Sequence, residues 1–543
     1  MAITKNHKAF RWVAAMPIDA NNVLLEQAFA RFLVLVQTKG RPITSTTKNT
    51  LHPEDLMQVI NDDNAHFQGI DGDPQRSRLL EHWIASDFAT SIKAGMGHAG
   101  KERIANLKPI HMSTIKLLDP RIRSQDRDLS QFLYNVFRES DLIIGENSLL
   151  LPYLTTGTTP FGEHDLKINE SQAGSLDVET LFLLRLLEHF KTDLPDNRKR
   201  VPPHTFLCPA QQQLLVNDTA RLLVYKDVIP RRELVQYLIS LFSLHAALYC
   251  MRSFSLILKL VETKKYRCTK CKGIKQETLH TLGECEHHPD IFVDLTNGQN
   301  KVCDALAKQK VAKHYGIMFR YFRAQYVLKK LDEFAQTFPG YHGTVEEAIG
   351  FASHKDLDGF FRTKLAEVTL VEEGAEQDPE IQATLDLKLD PLDAYAEILL
   401  QKTFKTRSRN HKAMMASLCG LNREDGFLHG GRGKKRKYVL GNQLLELLVQ
   451  LAVVGVRRGH FVTEPITVSD FVKWLQNRYG VLIDSTGEEN DSPDVARALE
   501  ANYTALKDRL RQLGFFTDLS DASISQVIKP RFPITVDPGK EHA

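Results

Sequence analysis

Residues 234–261, LVQYLISLFSLHAALYCMRSFSLILKLV, form the longest apolar tract of the chain and predict its central element. The tract is long enough to cross a lipid bilayer as a helix. It is interrupted, however, by Gln236, His245, Arg252 and Lys259, and such polar groups are costly inside a membrane. We therefore predict a helix buried in a protein core. The N-terminal residues lack the apolar stretch of a secretory signal, which favours a cytoplasmic protein with no membrane partner.

The composition is that of an ordinary globular protein. The chain has 543 residues, of which 42% are hydrophobic and 25% are charged. At roughly 100–200 residues per domain, three or four folded units are expected. The formal net charge of +3 is small for this length, so any binding role of charge depends on where the charges cluster. Apolar residues recur at helical spacing along most of the chain, which predicts a mainly α fold.

A group of cysteine and histidine residues between 266 and 303 indicates a metal site. It begins with a CxxC pair, and two thiolates from one tight turn can hold a tetrahedral metal ion. The candidate ligands are Cys268, Cys271, Cys285, His287, His288 and Cys303. The first three cysteines, with one of the other three residues, would close the coordination sphere of a structural zinc ion. The alternative is a pair of reduced thiols beside a histidine-rich loop.

Basic residues accumulate between 402 and 458. The densest run is flanked by glycine and consists of Arg432, Lys434, Lys435, Arg436 and Lys437. Such an arm can neutralise several phosphates of a nucleic acid. The alternative is that this run is only a solvated face of the protein.

Three helical patterns follow the basic run, at 443–454, 467–480 and 494–513, and residues 515–528 indicate two short strands. Three helices followed by a hairpin is the order of a winged helix-turn-helix. On the third helix, four basic residues lie off the apolar stripe and are predicted to face DNA. They are Arg497, Lys507, Arg509 and Arg511. Winged helices also dock proteins, so a protein-binding role stays open.

No catalytic residues are predicted. Residues 95–100, GMGHAG, match the spacing of a dinucleotide-binding loop, but residues 80–92 before them have a helical pattern where that loop requires a strand. The segment also lacks the Lys-Ser/Thr ending of a P-loop. Local signatures of zinc proteases, kinases and serine hydrolases are missing from the sequence as well. An active site assembled from distant residues stays open.

The C-terminal block resembles the tail of large helical proteins encoded in bacterial anti-phage defence operons. The resemblance is carried by KKRKYVL at 434–440, LLELLV at 444–449, YGV at 479–481, LKDRLRQLG at 506–514 and DLSDA at 518–522. The similar proteins are accessory subunits of the methylation-associated and phosphorothioation-dependent defence systems. The resemblance implies a non-catalytic subunit that works beside ATPases, nucleases or methyltransferases of the same operon.

The sequence thus predicts a cytoplasmic, zinc-stabilised defence subunit that binds DNA and other proteins of its operon. The alternatives are a nuclease or other DNA-processing enzyme with a dispersed active site, and a winged-helix transcription regulator. The predicted fold is mainly α and multi-domain, with a small zinc-binding insert and a C-terminal winged-helix-like domain. The predicted units are an N-terminal helical domain (1–160), a central helical domain (161–265), the zinc-binding segment (266–305), a helical region (306–370), an acidic linker (371–400) and the basic winged-helix-like domain (401–543).

Overall fold

The structure is a computed structural model. It describes residues 3–42, 51–63, 65–67, 73–92, 103–119, 126–138, 140, 144, 148–158, 167–174, 176–190, 199–265, 285–370, 376–431, 435–457, 460–488, 492–515 and 527–535. The glycine-rich loop at 95–100 lies outside these ranges, and so do Cys268, Cys271, Arg432 and Lys434.

Most of the described residues are helical, so the predicted mainly α fold is confirmed. The helices before the central element are α1 (Leu25–Gln37), α2 (Pro53–Asp62), α3 (Pro74–Trp83), α4 (Leu129–Phe137), α5 (Leu150–Thr155), α6 (Glu170–Ala173), α7 (Val178–Glu188) and α8 (Pro209–Leu223). A short π-helical turn, Ile84–Phe88, and a 3-10 helix, Met112–Leu117, complete this part.

The long helices follow. They and their shorter neighbours are α9 (Arg231–Thr263), α10 (Lys301–Ala335), α11 (Val345–Gly350), α12 (Leu357–Thr369), α13 (Pro379–Asp386), α14 (Pro391–Leu418), α15 (Asn442–Ala452), α16 (Val468–Tyr479) and α17 (Pro493–Gln512). A 3-10 turn, Phe351–Ser353, lies between α11 and α12.

Strands in the described residues are short and form two-stranded sheets. The antiparallel pairs are β1 (Ala89–Ile92) with β2 (Arg103–Leu107), β4 (Leu428–His429) with β5 (Lys437–Tyr438), β6 (Val454–Arg457) with β7 (His460–Thr463), and β8 (Ile466–Thr467) with β10 (Val527–Ile528). The parallel pair joins β3 (Ile291–Phe292) to β9 (Val481–Leu482). The β3–β9 and β8–β10 pairs connect segments that are far apart in sequence and therefore help to position the helices.

The predicted apolar helix is α9, and it lies in the core. Leu238, Leu248 and Ile257 are each fully buried, and the polar interruptions His245 and Arg252 are buried with them. By length and composition α9 could cross a membrane, but most of its apolar window is buried inside the protein. Because α8, α10 and α14 pack against it, α9 obtains its apolar surroundings from the protein itself.

Helix-capping residues set the ends of the elements that surround α9. Asn300 precedes α10, and its side-chain oxygen accepts hydrogen bonds from the backbone N–H groups of Val302 and Cys303. This is the usual role of an asparagine at a helix N-terminus. At its C-terminal end, α16 stops at Gly480, whose φ of +74° lies in the left-handed region that glycine adopts readily.

The acidic segment 371–400 is helical over much of its described part, residues 376–400. It contains α13 and the first residues of α14. Ile381 and Thr384 of α13 and Leu392 and Tyr395 of α14 are buried, whereas the acidic Glu380 and Asp386 face outward. The apolar residues spaced between the acidic ones therefore anchor this segment on the helical core.

The C-terminal helices lie close to their predicted positions, but the strands differ. Residues 516–526 of the predicted hairpin lie outside the described residues. Its last residues form β10, which pairs with β8 ahead of α16. A hairpin that the sequence did not predict, β6 with β7, lies between α15 and α16.

Candidate metal centre and nucleic-acid interface

Cys285 and His287 are both described and buried, and His287 contacts α9. Cys285 opens the first described stretch after residue 265. The Nδ1 atom of His287 lies 3.0 Å from the hydroxyl of Ser255 on α9. Its Nε2 atom lies 3.6 Å from a carboxylate oxygen of Glu286. A histidine held through one ring nitrogen presents the other in a fixed direction, which is the usual arrangement of a metal-ligating histidine.

His288 uses both of its ring nitrogens inside the protein. Nδ1 accepts a hydrogen bond of 2.6 Å from the guanidinium of Arg252, and Nε2 donates one of 2.8 Å to the carbonyl of Gln476. Burial lowers the pKa of His288 to about 4, so the ring is neutral at physiological pH. These contacts join α9 to α16 and leave neither nitrogen free for a metal ion.

Cys303 belongs to a different environment. It is fully buried near the start of α10, in an apolar cluster with Phe292 and Leu482. Its thiol donates a hydrogen bond of 3.2 Å to the carbonyl of Ala498. Burial raises the pKa of this thiol to about 11, so it is a neutral packing group.

Arg252 introduces a positive charge next to this cysteine–histidine segment. Its side chain is fully buried, and its Nε and Nη1 atoms have no hydrogen-bond partner among the described residues. It lies beside Cys208; burial raises the pKa of that thiol, and the charge of Arg252 opposes the rise. An arginine stays charged inside a protein and is costly to bury without a counter-charge. A nearby anionic group would supply the counter-charge that Arg252 lacks among the described residues.

The described members of the basic run differ in their contacts. Lys435 is exposed. Arg436 donates a hydrogen bond of 2.7 Å to the hydroxyl of Tyr315. Lys437 is largely buried and forms ion pairs of 2.7 Å with Asp294 and 2.9 Å with Asp304. The charge of Lys437 is therefore already balanced inside the protein.

The predicted DNA-facing residues of α17 also have partners within the chain. Arg497 pairs with Asp494, and Arg511 with Asp508, in each case three residues away and exposed. The ammonium of Lys507 lies 5.1 Å from the ring centre of Tyr503. Exposed pairs of this kind contribute little energy. They therefore leave Arg497 able to exchange its partner for a phosphate.

Arg509 is different, because it is half-buried. Its guanidinium donates hydrogen bonds of 2.6 Å to the carbonyl of Leu440 and to the side chain of Asn297. These bonds tie α17 to the chain ahead of α15 and to the loop that precedes α10. Arg509 therefore helps to fix the arrangement of these three segments.

Lys437 and Arg509 line one polar cleft of about 390 Å³. The cleft lies between the β4–β5 pair, the start of α15 and the end of α17. Its other polar lining residues are Asn297, Asn422, Arg423, Glu424, His429, Asn442 and Gln512. Asn297 and Asn422 both have a positive φ, of 56° and 58°, which asparagine tolerates better than most residues. The sequence placed Lys437 and Arg509 on separate elements, and the fold brings them to one cleft.

A second polar group is buried deeper, between α8, α9 and α16. Asp218 accepts hydrogen bonds from the Nε atom of Arg478 (3.0 Å), from His245 (3.0 Å) and from the hydroxyl of Tyr479 (2.7 Å). All four side chains are almost completely buried. Gln211 completes the group, 2.8 Å from the other nitrogen of His245. A buried carboxylate with this many donors holds three helices in one arrangement.

Comparison with known protein families identifies the class of protein as a component of a methylation-associated defence system. The matching family is described as methylation-associated defense system protein MAD7, and the match covers residues 5–532. Because it spans nearly the whole length, the chain belongs to this family. The predicted link to a defence system is confirmed, and it extends well beyond the C-terminal block. Comparisons with curated proteins and with solved structures found no match.

Proposed function

We propose that this protein is a non-catalytic, zinc-stabilised subunit of a methylation-associated defence complex, and that it binds DNA and other proteins of its operon. The observation that carries the DNA-binding part is the basic region between 432 and 511. Lys435 is exposed there, next to Arg432 and Lys434 in the sequence, and Arg497 and Arg511 lie on the surface of α17. Phosphates attract such side chains irrespective of base sequence.

The order of the C-terminal elements supports a winged-helix-like role for this region. Helix α15 is followed, after the β6–β7 hairpin, by β8, α16, β9, α17 and β10; β8 pairs with β10, and β9 pairs with β3. Three helices thus follow one another with short strands between and after them, and α17 takes the place of the DNA-facing helix. Leu506 and Leu510 of α17 are buried, whereas Arg497 and Arg511 lie on the other side of the helix.

A zinc ion is proposed for Cys268, Cys271, Cys285 and His287. Among the three residues left open by the sequence, His287 fits best, because His288 and Cys303 already use their ligating atoms within the protein. The charge argument agrees. Three thiolates and one neutral histidine around Zn²⁺ carry one net negative charge, and Arg252 is a buried positive charge that lacks a carboxylate partner among the described residues. A closed site of this kind stabilises the local fold.

The DNA-binding proposal is tested with the full-length chain and a duplex in a mobility-shift titration at low ionic strength. We expect a shift that weakens when Arg497 and Arg511 are both changed to Gln. A matched control changes Lys355 and Arg362, two exposed basic residues of the α11–α12 region, to Gln and keeps the shift. If the unaltered protein shifts no duplex at low salt, the DNA-binding proposal is wrong and a protein-docking role is favoured. Metal-dependent cleavage of the duplex would instead favour the enzyme alternative.

A further inference from the structure

Helices α10 and α14 pack antiparallel and place aromatic and basic side chains on a shared face. Near one end, Lys330 of α10 lies over the ring of Tyr395, and further along the hydroxyl of Tyr326 bonds Thr403. Residue numbers thus rise along α10 as they fall along α14. The next contacts in this direction involve Tyr315, Phe319, Phe404 and Lys412, which we call the aromatic face.

The rings of the aromatic face contact one another. Tyr315 and Phe319 are stacked, with ring centres 6.4 Å apart and planes inclined by 20°. Phe404 meets Phe319 edge to face at 5.4 Å. Phe404 is 40% exposed, and Tyr315 and Phe319 are partly exposed. Phe404 is the one aromatic residue among the exposed large hydrophobic side chains in the described part of the chain.

Cations lie directly beside these rings. The ammonium of Lys412 is 5.0 Å from the ring centre of Phe319 and 5.7 Å from that of Tyr315. Lys405 and Arg409 are exposed on α14 and share a helical stripe with Lys412, because residues three, four and seven apart lie on one side of a helix. Arg320 is exposed and directly follows Phe319 on α10.

Negative charge is missing from these stretches of sequence. Residues 305–331 contain seven Lys or Arg and no Asp or Glu, and residues 398–423 contain six Lys or Arg and no Asp or Glu. The carboxylates of Asp393 and Glu397, nearer the start of α14, are paired with Arg323. At the opposite end, Arg436 reaches the hydroxyl of Tyr315, so the aromatic face continues into the basic run.

We propose that the aromatic face binds an unpaired stretch of nucleic acid. Bases stack on Phe404, Phe319 and Tyr315, and phosphates pair with Lys405, Arg409, Lys412 and Arg320. Rings interleaved with cations are the means by which proteins hold single strands, since every base has a face that can stack. A duplex hides the faces of its bases, and an acidic peptide would use the cations without the rings. Its residues differ from the duplex-binding residues proposed above, although Arg436 places the aromatic face next to the basic run.

The test uses the full-length chain and two labelled strands of about 15 nucleotides, a length that matches single-strand sites built from aromatic residues. One strand carries bases, and the other is an abasic strand with the same phosphates. Fluorescence anisotropy at one ionic strength should show binding of the base-bearing strand at least about tenfold tighter, given the usual contribution of base stacking. Equal affinity for the two strands would overturn the proposal.

Single substitutions test which side chains bind the bases and which bind the phosphates. Phe404→Ala should weaken binding of the base-bearing strand by about fivefold or more and leave the abasic strand unchanged. Lys412→Gln should weaken both strands. Leu387→Ala, at a 64% exposed apolar residue of another surface, is the matched control and should change neither. Circular dichroism confirms folding of each variant. If Phe404→Ala folds and binds both strands normally, the rings are not the site; if it retains the duplex shift, the two proposed surfaces are independent.

Discussion

Arg478 of α16 and Asp218 of α8 form an ion pair in which both side chains are almost completely excluded from solvent. Burial alone would raise the pKa of Asp218, but the charge of Arg478, together with the hydrogen bonds from His245 and Arg478, outweighs burial and holds this pKa well below its ordinary value. His245 and Tyr479 bond the other carboxylate oxygen. The pair fixes the C-terminal helices to the central ones.

The first prediction is that Asp218→Asn strongly destabilises the protein. The change leaves Arg478 buried without its counter-charge, a loss of roughly 3–5 kcal/mol in comparable buried pairs. Urea unfolding of the two proteins measures it. A smaller change would mean that solvent or a neighbouring group compensates Arg478. Because the folded-state pKa is depressed, the stabilisation is present above pH ~4, near the pKa of an unfolded Asp, and is lost as pH falls further.

The second prediction concerns Lys437, which the sequence assigned to DNA. Burial opposes its charged form, but the hydrogen bonds with Asp294 and Asp304 raise its pKa. We expect Lys437→Met to lower the free energy of unfolding by several kcal/mol, roughly the cost of a broken buried pair, because Asp294 is fully buried and would lose its counter-charge. Lys435→Met, at an exposed neighbour, is the control and should leave stability unchanged. Equal stability of both variants would show that the ion pairs with Lys437 contribute nothing.

The third prediction is about one zinc ion per folded chain, measured by elemental analysis of reduced protein. Cys285→Ser should lower zinc content and thermal stability together, because metal binding is coupled to local folding. Cys303→Ser should keep the zinc, since that thiol bonds Ala498 in an apolar cluster. Zinc-free protein with an unaltered melting transition would contradict the metal proposal. Loss of zinc from the Cys303 variant would assign the fourth ligand to that residue.

The fourth prediction concerns Asp126, a buried residue whose carboxylate oxygen lies 3.6 Å from the Nε atom of Arg31. Burial raises the pKa of Asp126 from 3.8 to about 6, and the charge of Arg31 only partly opposes the rise. A folded-state pKa above the unfolded value means that the folded protein binds more protons in this range. The contribution of Asp126 to stability therefore falls as pH rises from about 4 to about 6. Asp126→Asn should remove this part of the pH dependence, as measured by thermal unfolding across that range. An unchanged pH profile would contradict the raised pKa of Asp126.

The positions of the helices could be predicted because apolar spacing reports burial directly. The tract at 234–261 corresponds to α9, and the patterns at 443–454 and 467–480 correspond to α15 and α16. The two-residue strands β3 and β9 could not be predicted. They are too short for a periodic signal, and their pairing joins Ile291 to Val481 across the chain.

The candidate nucleic-acid interface could be predicted only in part. A basic residue looks the same in the sequence whether it faces solvent or a buried acid. Lys437 and Lys435 are two positions apart, yet one is paired with Asp294 and the other is exposed. The aromatic face was missed because Tyr315 and Phe404 meet only when α10 and α14 pack together.

The most direct test of DNA binding through phosphates is the salt dependence of duplex affinity for the full-length chain. A variant with Arg432, Lys434 and Lys435 changed to Gln should bind several duplex sequences with a similar loss. Its plot of log affinity against log salt concentration should be shallower by ~0.9 for each phosphate contact removed. Changing Lys355 and Arg362 to Gln provides the control. The account is contradicted if this variant keeps the slope and affinity of the unaltered protein. It is also contradicted if the duplex affinity of the unaltered protein does not depend on salt concentration.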